Sequence, residues 1–515
     1  MKNFLSKIYQ PIVILLWGMA CFVFFQFFYK YHFFYQEQNQ LFLISWEYVA
    51  TYFRKPAWTA CLVGDFLTQF YYYLYAGPAI LTLSLLVLGD FLRHALQRSG
   101  ISKGAFFLAL LSIMLEAILC LHYAHRLSAV MAMIGGAAMF LFYSQTQLNK
   151  KLTGVYAVLT YWMFGIGVLL FALLAVLNGF LCFKKRTAVM RLVVLGGLLL
   201  LIPLTKSSYL LETGKLYTYP GFGRFSKPDF FLEKQLAVDN EYYFGNYDEV
   251  VWLVESEQKP SEHMLFFYNL VQAQRGTLPD NLLKYYPNEL GTFYQIGPDT
   301  PLLIIKDMNE LYWSLGDMTF TERAAMMANV FSPDNRNVRM VKRLAECNIV
   351  SGDTAAVRKY LGLLEKTLVW RNWAKNAPTA VYYGEKQRFV NRADTIRTSD
   401  NAHMIMMELL DSNPENIVAL DYILCSNLLL KDIANFKRDY DRYCISSGRE
   451  RLKDLYQQAL CIWLAGTDAS QEEWGKYIKR QDIARRFMEY SKQRGNPAFK
   501  DTYWYYFDTA KQRKL

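Results

Sequence analysis

The stretch LTGVYAVLTYWMFGIGVLLFALLAVLNGFLCF, residues 152–183, decides how the first two fifths of this chain fold. It is apolar nearly throughout, which suits the hydrocarbon core of a membrane. As one helix it would be about 48 Å long, whereas that core is about 30 Å thick. Gly165 and Gly167 interrupt it, so we predict a break near 165–167, as two half-length helices or a re-entrant turn.

Other apolar runs flank this stretch and predict a transmembrane domain over residues 1–206 with about six or seven spans. The first run resembles a signal peptide, but it extends beyond the roughly 7–15 apolar residues of such a peptide, so we interpret it as an uncleaved anchor. The remaining predicted spans complete the bundle. The runs are 11–29, 78–92, 104–121, 127–143 and 192–204.

Charge is distributed unevenly and predicts the orientation in the membrane. Residues 1–206 contain 16 Lys or Arg and 5 Asp or Glu, while the rest contains 40 of each, so the whole net charge of +11 lies in the apolar part. This distribution favours a lipid bilayer as partner and argues against nucleic acid, despite the pI near 9.0.

The densest cationic cluster comprises Lys184, Lys185, Arg186 and Arg191, and such clusters prefer the cytoplasm. Counting the broken stretch as two passes gives about seven spans, which places this cluster inside and the C-terminal domain in the periplasm of a bacterial inner membrane. Counting it once gives the alternative, a cytoplasmic C-terminal domain.

The loop at residues 30–77 is rich in aromatic residues and has two amphipathic stretches, which is typical of the headgroup region. We predict that it lies outside the cytoplasm. It is either an interfacial collar on the bundle or the roof of a lipid-facing site that carries Glu37, Glu47 and Asp65.

Glu116 lies inside an apolar run, where a carboxylate is costly enough to suggest function. His122, His125 and Arg126 follow closely and could pair with it. Glu116, His122 and His125 are candidate metal ligands. The alternative is that Arg126 or protonation simply neutralises Glu116.

The C-terminal part has helical spacing and almost no strand signal, so the predicted fold class is all-α, with a linker at 207–228 and a soluble domain at 229–515. Gly245, Gly276, Gly316 and Gly352 mark helix-pair turns 31, 40 and 36 residues apart. These intervals scatter about the 34 residues of tetratricopeptide repeats, which predicts a TPR-like solenoid that binds a protein partner. A compact helical domain without a groove is the alternative.

No phosphate-loop, dinucleotide, hydrolase or zinc-protease motif is present, so we predict no cofactor and assign no reaction. Three segments resemble an uncharacterised family of bacterial polytopic membrane proteins with helical-repeat C-termini: QEQNQLFL from Gln36, FLTQFYYYLYAGPA from Phe66 and YLGLLEKTLVWRNWA from Tyr360. The resemblance implies a domain plan and no activity.

A more distant similarity is to membrane glycosyltransferases that use polyprenyl-linked sugars, where an acidic residue lies on the outer loop after the first span. This resemblance implies that Glu37, Asp65 and Glu116 are candidate catalytic residues, which would bind a metal or accept a proton. Three function hypotheses follow. The first is a non-enzymatic cell-envelope scaffold or assembly factor. The second is an enzyme or flippase-like protein acting on a lipid-linked substrate, and the third is a transporter that uses Glu116 and the break at Gly165.

Overall fold

A computed structural model describes residues 2–146, 152–183, 185–209, 211–221, 225–285, 293, 302–388, 390, 401–449 and 451–511. Over these residues the secondary structure is helical without strands, so the protein is all-α as predicted. The chain forms two compact units. Unit 1 comprises Met1–Leu236, Ser332–Arg339 and Leu361–Lys375, and unit 2 comprises Ala237–Phe331, Met340–Tyr360 and Asn376–Leu515.

The division into a membrane part (1–206), a linker (207–228) and a soluble part (229–515) stays a prediction. Unit 1 continues to Leu236 and includes two short segments from the second half of the sequence. Its helices are α1 (Lys2–Phe27), α2 (Tyr31–Gln38), α3 (Trp46–Tyr52), α4 (Trp58–Thr68), α5 (Ala76–Arg98), α6 (Ala105–Leu119), α7 (Leu127–Gln145), α8 (Thr153–Phe164), α9 (Gly167–Cys182), α10 (Lys185–Leu201), α11 (Lys206–Tyr209) and α12 (Thr213–Thr218).

Helix α7 is the centre of unit 1 and packs against α4, α5, α8 and α9. Small residues allow these close contacts. A Cβ atom on Gly136 would lie 2.3 Å from the carbonyl oxygen of Gly167, and one on Gly64 would lie 2.5 Å from the Cα of Ser128. Backbones in such contact exclude any side chain, as in closely packed membrane helices.

Residues 152–183 form two helices that are separated where the sequence predicts a break. Helix α8 ends at Phe164 and α9 begins at Gly167, with Gly165 at φ +50° and ψ −115°. This conformation favours glycine. The freed amide of Ile166 donates to the carbonyl oxygen of Tyr219 at 3.0 Å, so the interruption is hydrogen-bonded within unit 1.

Four helices in the described chain are long and apolar enough to cross a membrane: Tyr9–Phe27, Ala76–Arg98, Leu127–Gln145 and Lys185–Thr205. Helices α6 and α9 are apolar but shorter. Helix α10 begins at Lys185, seven residues before the predicted span at 192–204.

The sequence places Arg191 in a cationic cluster at the membrane surface, but the structure buries it inside unit 1. Its Nη1 donates to the carbonyl oxygen of Ala175 at 3.1 Å and to Oδ1 of Asn178 at 2.9 Å. The guanidinium also lies over the ring of Phe183. Lys185 and Arg186 remain exposed, and Lys184 lies outside the described residues.

Helix α13 (Phe230–Tyr243) ends within unit 2, whose apolar core joins its early and late helices. The helices that follow are α14 (Tyr247–Glu255), α15 (Glu262–Gln274), α16 (Leu278–Asn281), α17 (Leu302–Leu315), α18 (Met318–Phe331), α19 (Val338–Ser351), α20 (Thr354–Leu364), α21 (Arg371–Asn376), α22 (Val381–Arg388), α23 (Ala402–Ser412), α24 (Ile417–Leu429), α25 (Ile433–Tyr440), α26 (Asp454–Gly466), α27 (Gln471–Tyr477), α28 (Gln481–Ser491) and α29 (Tyr503–Thr509).

The four glycines predicted at helix-pair turns each follow a helix end: Gly245, Gly276, Gly316 and Gly352. All four have positive φ, between +67° and +82°, where glycine carries no Cβ penalty. Between α27 and α28, Gln457 Oε1 accepts the backbone amides of Lys479 and Arg480, which lie outside both helices.

Candidate functional site

The end of α2 and the two residues after it, 36–40, form the centre of a buried polar cluster in unit 1. The Gln36 amide donates to the carbonyl oxygens of Tyr123 at 3.0 Å and His125 at 3.2 Å. The Gln40 amide donates to the backbone oxygen of Asp65 at 2.9 Å. This short stretch therefore connects the neighbourhoods of two predicted acidic residues, Asp65 and Glu116.

The same stretch binds segment 332–339, which the sequence placed in the soluble domain. Asn337 Nδ2 donates to Oδ1 of Asn39 at 2.9 Å, and Arg339 Nη1 donates to Oε1 of Gln38 at 2.9 Å. The backbone amide of Val338 donates to the carbonyl oxygen of Gln40 at 3.0 Å. We call residues 36–40 together with 332–339 and their charged neighbours Lys55, Asp65 and Arg126 the polar junction.

Glu37, predicted as an acid of a lipid-facing site, is buried beside segment 361–375. Its Oε1 accepts a hydrogen bond from Trp370 Nε1 at 3.2 Å. The ring of Tyr72 packs edge-on against Trp370, with centroids 4.8 Å apart. Glu37 is 3% exposed, so its carboxylate is part of the packing of unit 1 rather than a group presented at its surface.

Asp65 is half-buried and lies at the end of a chain of hydrogen bonds. The Tyr52 hydroxyl donates to Asp65 Oδ2 at 2.8 Å, the Tyr52 and Tyr48 hydroxyls are 3.2 Å apart, and Arg336 Nη1 donates to the Tyr48 hydroxyl at 2.8 Å. Burial raises the pKa of Asp65 above its usual range, although Arg126 opposes this shift. Glu47, the other acid of this loop, lies in the first turn of α3.

Asp334 provides the second carboxylate of the polar junction. It accepts hydrogen bonds from Lys55 and from Arg126, the latter at 3.1 Å. Burial opposes its ionisation, but Arg126 and Lys55 outweigh that effect and lower its pKa to about 2. Arg126, predicted as a possible partner of Glu116, thus pairs with Asp334 in this structure.

Glu116 contacts His125, at 3.1 Å between Oε1 and Nε2. The sulfur of Cys120 completes a group whose three ligand atoms all lie within 4.8 Å of one another. His122 lies outside this group, because its Nδ1 accepts the backbone amide of Ala124 and its ring stacks on Tyr123. The structure thus brings together Glu116, Cys120 and His125, where the sequence suggested Glu116, His122 and His125.

The polar junction and the Glu116 cluster lie in a chain that matches a known protein family over nearly its whole length. Residues 5–510 match the family described as Family of unknown function (DUF6057). The chain belongs to this family. No curated protein matches the sequence, and no solved structure matches it.

The three segments on which the family resemblance was based meet in unit 1. Phe42 and Phe66, from the first and second segments, have ring centroids 5.6 Å apart. Tyr72 and Glu37 both contact Trp370 of the third. Residues 36–40 of the first segment belong to the polar junction, and Trp370 of the third segment contacts Glu37 within it.

Sequence reasoning missed the residues that complete these clusters. Asp334 follows Ser332-Pro333, a turn signal, but nothing in its spacing connects it to Arg126, 208 positions away. Cys120 did have a signal, because residues four apart share one face of a helix and Glu116 precedes it by four.

An apolar cavity of about 190 Å³ lies elsewhere in unit 1, between α8, α9 and the end of α10. Ala157, Trp162, Ala172, Leu198 and Tyr209 are among its lining residues, and no acidic residue lines it. This apolar lining suits a hydrocarbon chain and offers no carboxylate as general acid or base.

Proposed function

We propose that the protein is a multi-pass protein of the bacterial inner membrane that acts as a scaffold or assembly factor and binds a protein partner through its C-terminal helices. Four helices with the length and composition of membrane spans support the membrane assignment. The helix pairs that turn at Gly245, Gly276, Gly316 and Gly352 support a repeat-like, TPR-like C-terminal domain.

One observation supports a scaffold rather than an enzyme. Each acidic residue singled out as a catalytic candidate is engaged inside unit 1: Glu37 with Trp370, Asp65 with Tyr52, and Glu116 with His125. Two of these acids lie where the N-terminal loop binds segments from much later in the chain. Acids engaged in this way stabilise unit 1, so the proposal assigns function to partner binding rather than to these carboxylates.

The partner would bind an exposed apolar face of α18 in unit 2. Met326, Met327, Val330 and Phe331 form two i,i+4 pairs on this helix and are between 40% and 64% exposed. Adjoining apolar side chains at a protein surface are typical of interaction sites, and methionine adapts to varied partners. We therefore propose a protein partner that presents an apolar segment to this face.

The test uses isosteric changes and complementation of a deletion strain. Glu37→Gln and Asp65→Asn retain an acceptor oxygen for Trp370 and Tyr52, so a scaffold keeps its function in both variants. Val330→Glu puts a charge on the α18 face and abolishes function, whereas Thr319→Glu, at an exposed position on the same helix, does not. Immunoblots confirm equal protein levels. Amide variants that accumulate normally but fail to complement would overturn the proposal in favour of an enzyme.

Photo-crosslinking identifies what the face binds. A photoreactive residue at position 330 is expected to give a discrete protein adduct in intact cells. The adduct should be lost when Phe331→Glu is added, and position 319 should give none. Adducts to lipid alone would contradict the proposed protein partner.

The proposed orientation places the C-terminal domain in the periplasm. It rests on α8 and α9 each counting as one pass and on Lys185 and Arg186 lying inside. An alkaline phosphatase fused after residue 515 should then be active and a cytosol-dependent fluorescent protein dark. The reverse pattern would place the domain in the cytoplasm.

The apolar cavity favours a second candidate, a protein that acts on a lipid-linked substrate and holds its chain between α8 and α10. Ala172→Phe would fill the cavity, while Val155→Phe changes an exposed position of α8. If this function is correct, lipid that copurifies with the protein should decrease in the first variant alone. Equal lipid content in both variants would eliminate it.

A further inference from the structure

We infer that Glu116, Cys120 and His125 form a metal-binding site for a divalent transition-metal ion, with zinc the best fit. The three side chains belong to residues that are between 4% and 7% exposed. They offer one carboxylate oxygen, one thiolate sulfur and one imidazole nitrogen, all within 4.8 Å of one another. Zinc accepts this mixture of ligands at distances of about 2.0–2.3 Å, and a tetrahedral site leaves a fourth position for water.

Local structure explains how three residues within ten positions converge. Glu116 and Cys120 lie one turn apart at the C-terminal end of α6, where the Cys120 amide donates to the Glu116 carbonyl oxygen at 3.0 Å. The chain then reverses through a turn in which the His125 amide donates to the His122 carbonyl oxygen at 2.8 Å. His125 is thereby returned toward the helix face that carries the other two ligands.

The charges of the ligands favour cation binding at this site. The carboxylate of Glu116 and the thiolate of Cys120 carry two negative charges, which neutralise a divalent ion when His125 is neutral. A neutral group is far less costly in an apolar setting than an isolated carboxylate. Binding releases the thiol proton of Cys120 to solvent, since the thiolate is the ligand.

The histidine ring also has an unused nitrogen. His125 Nε2 faces Glu116, while Nδ1 is buried and has no hydrogen-bond partner within the described part of the chain. A buried polar atom without a protein partner is uncommon in folded proteins and indicates a bound water or ligand. In either ring orientation His125 can present one nitrogen to an ion.

Surrounding groups hold the ligand loop in place. The Gln36 amide donates to the carbonyl oxygens of Tyr123 and His125, and the Tyr29 hydroxyl donates to that of Leu121 at 3.0 Å. Such contacts orient ligands and raise metal affinity. Since Gln36 also begins the polar junction, a bound ion would fix one end of that junction.

The test is metal binding by the full-length protein in detergent after removal of metal. Wild type should bind about one Zn²⁺ per chain. Co²⁺ in its place should give the intense near-ultraviolet absorption of a thiolate–cobalt bond. Cys120→Ser should lose this absorption and weaken zinc binding by at least about tenfold, and Glu116→Gln should weaken zinc while keeping the sulfur signal.

Two matched controls separate the site from adventitious binding. Cys182 is an exposed thiol, and His122 is the neighbouring histidine outside the cluster, so Cys182→Ser and His122→Gln should bind like wild type. Thermal unfolding without metal shows whether each variant is folded, and zinc should raise the melting temperature of wild type more than that of Cys120→Ser. Wild type without stoichiometric binding, or Cys120→Ser with an unchanged cobalt spectrum, would overturn the inference.

Discussion

Two ionic networks in this protein are built in different ways. In unit 2, Arg343 on α19 pairs with Glu310 on α17 at 2.6 Å and with Glu346, three positions away on its own helix, at 3.2 Å. In the polar junction of unit 1, Asp334 pairs with Lys55 and Arg126, which are 279 and 208 positions distant.

Burial differs as well, and the difference indicates what each network does. Arg343, Glu310 and Glu346 are between 2% and 8% exposed, whereas Lys55, Arg126 and Asp334 are between 27% and 38% exposed. Breaking a deeply buried pair costs more, since the remaining charge cannot reach water. We therefore expect the unit 2 network to control stability and the polar junction to control whether segment 332–339 stays attached.

The largest expected effect comes from Arg343→Ala. It removes the cation shared by the buried carboxylates of Glu310 and Glu346, of which Glu346 keeps Lys342 at 2.7 Å, and should cost about 3–5 kcal/mol. For a unit of this size the melting temperature should fall by on the order of 10 °C in detergent. Arg442→Ala is the matched control, because Arg442 pairs with Asp411 where both side chains are about half exposed. That change should cost less than about 1 kcal/mol. Equal shifts in melting temperature would show that Arg343 contributes no more to stability than an exposed ion pair.

Asp334→Ala should have a smaller effect on stability but a local effect on structure. It removes the partner of Lys55 and Arg126 at intermediate exposure and should cost about 2 kcal/mol, between the values for exposed and buried pairs. Trypsin should then cleave after Arg336 or Arg339 in the folded protein, as segment 332–339 detaches. Glu415→Ala, which breaks an exposed pair with Arg449, is the control and should not change the digest. Resistance to trypsin in both variants would mean that backbone contacts alone hold the segment.

The comparison also explains how much could be predicted from the sequence. Helix boundaries and the break at Gly165 depend on residues a few positions apart, so periodicity and glycine placement indicate them. Contacts such as Glu37 with Trp370 join residues 333 positions apart, and no local pattern encodes that pairing. The cost of an acid in an apolar run indicates Glu116, whereas the outer loop and the resemblance to glycosyltransferases indicate Glu37 and Asp65. Neither argument names the residues with which these acids pair.

Lys386 provides a further test of the comparison, because it adds a cation to the unit 2 network. It lies over the ring of Trp313 at 4.8 Å, and burial together with Arg343 lowers its pKa to about 7. The unfolded chain keeps this proton up to about pH 10.5, so folding stability rises with pH between these two values. Lys386→Met should stabilise the protein by about 2 kcal/mol at pH 6, with the difference vanishing toward pH 10.

The control for Lys386→Met is Lys284→Met. Lys284 forms an exposed pair with Glu255 and should give a change below about 1 kcal/mol that does not vary over this pH range. Melting temperatures at several pH values provide the measurement. A pH-independent difference for Lys386→Met would show that its ammonium group is solvated.

Asp65→Asn should have the smallest effect. It distinguishes the role of Asp65 from that of Asp334, the other carboxylate of the polar junction. Burial raises the pKa of Asp65, whereas Arg126 and Lys55 lower that of Asp334, so only Asp334 is stabilised as an anion. A carboxyl group with a raised folded-state pKa loses stability as pH rises from its unfolded value of about 3.9. The amide introduced by Asp65→Asn would keep an acceptor for the Tyr52 hydroxyl and carry no charge. The variant should therefore match wild type near pH 4 and exceed it by up to about 1 kcal/mol at pH 7.

The Asp65→Asn result decides how the junction is organised. If the melting temperature rises slightly at neutral pH, Asp334 is the anion that binds the cations and Asp65 is a hydrogen-bond acceptor at the end of the tyrosine chain. If it falls as far as in Asp334→Ala, both carboxylates are needed as anions. The junction would then be one charge network, like that of unit 2, because loss of either anion would leave Arg126 without sufficient compensation.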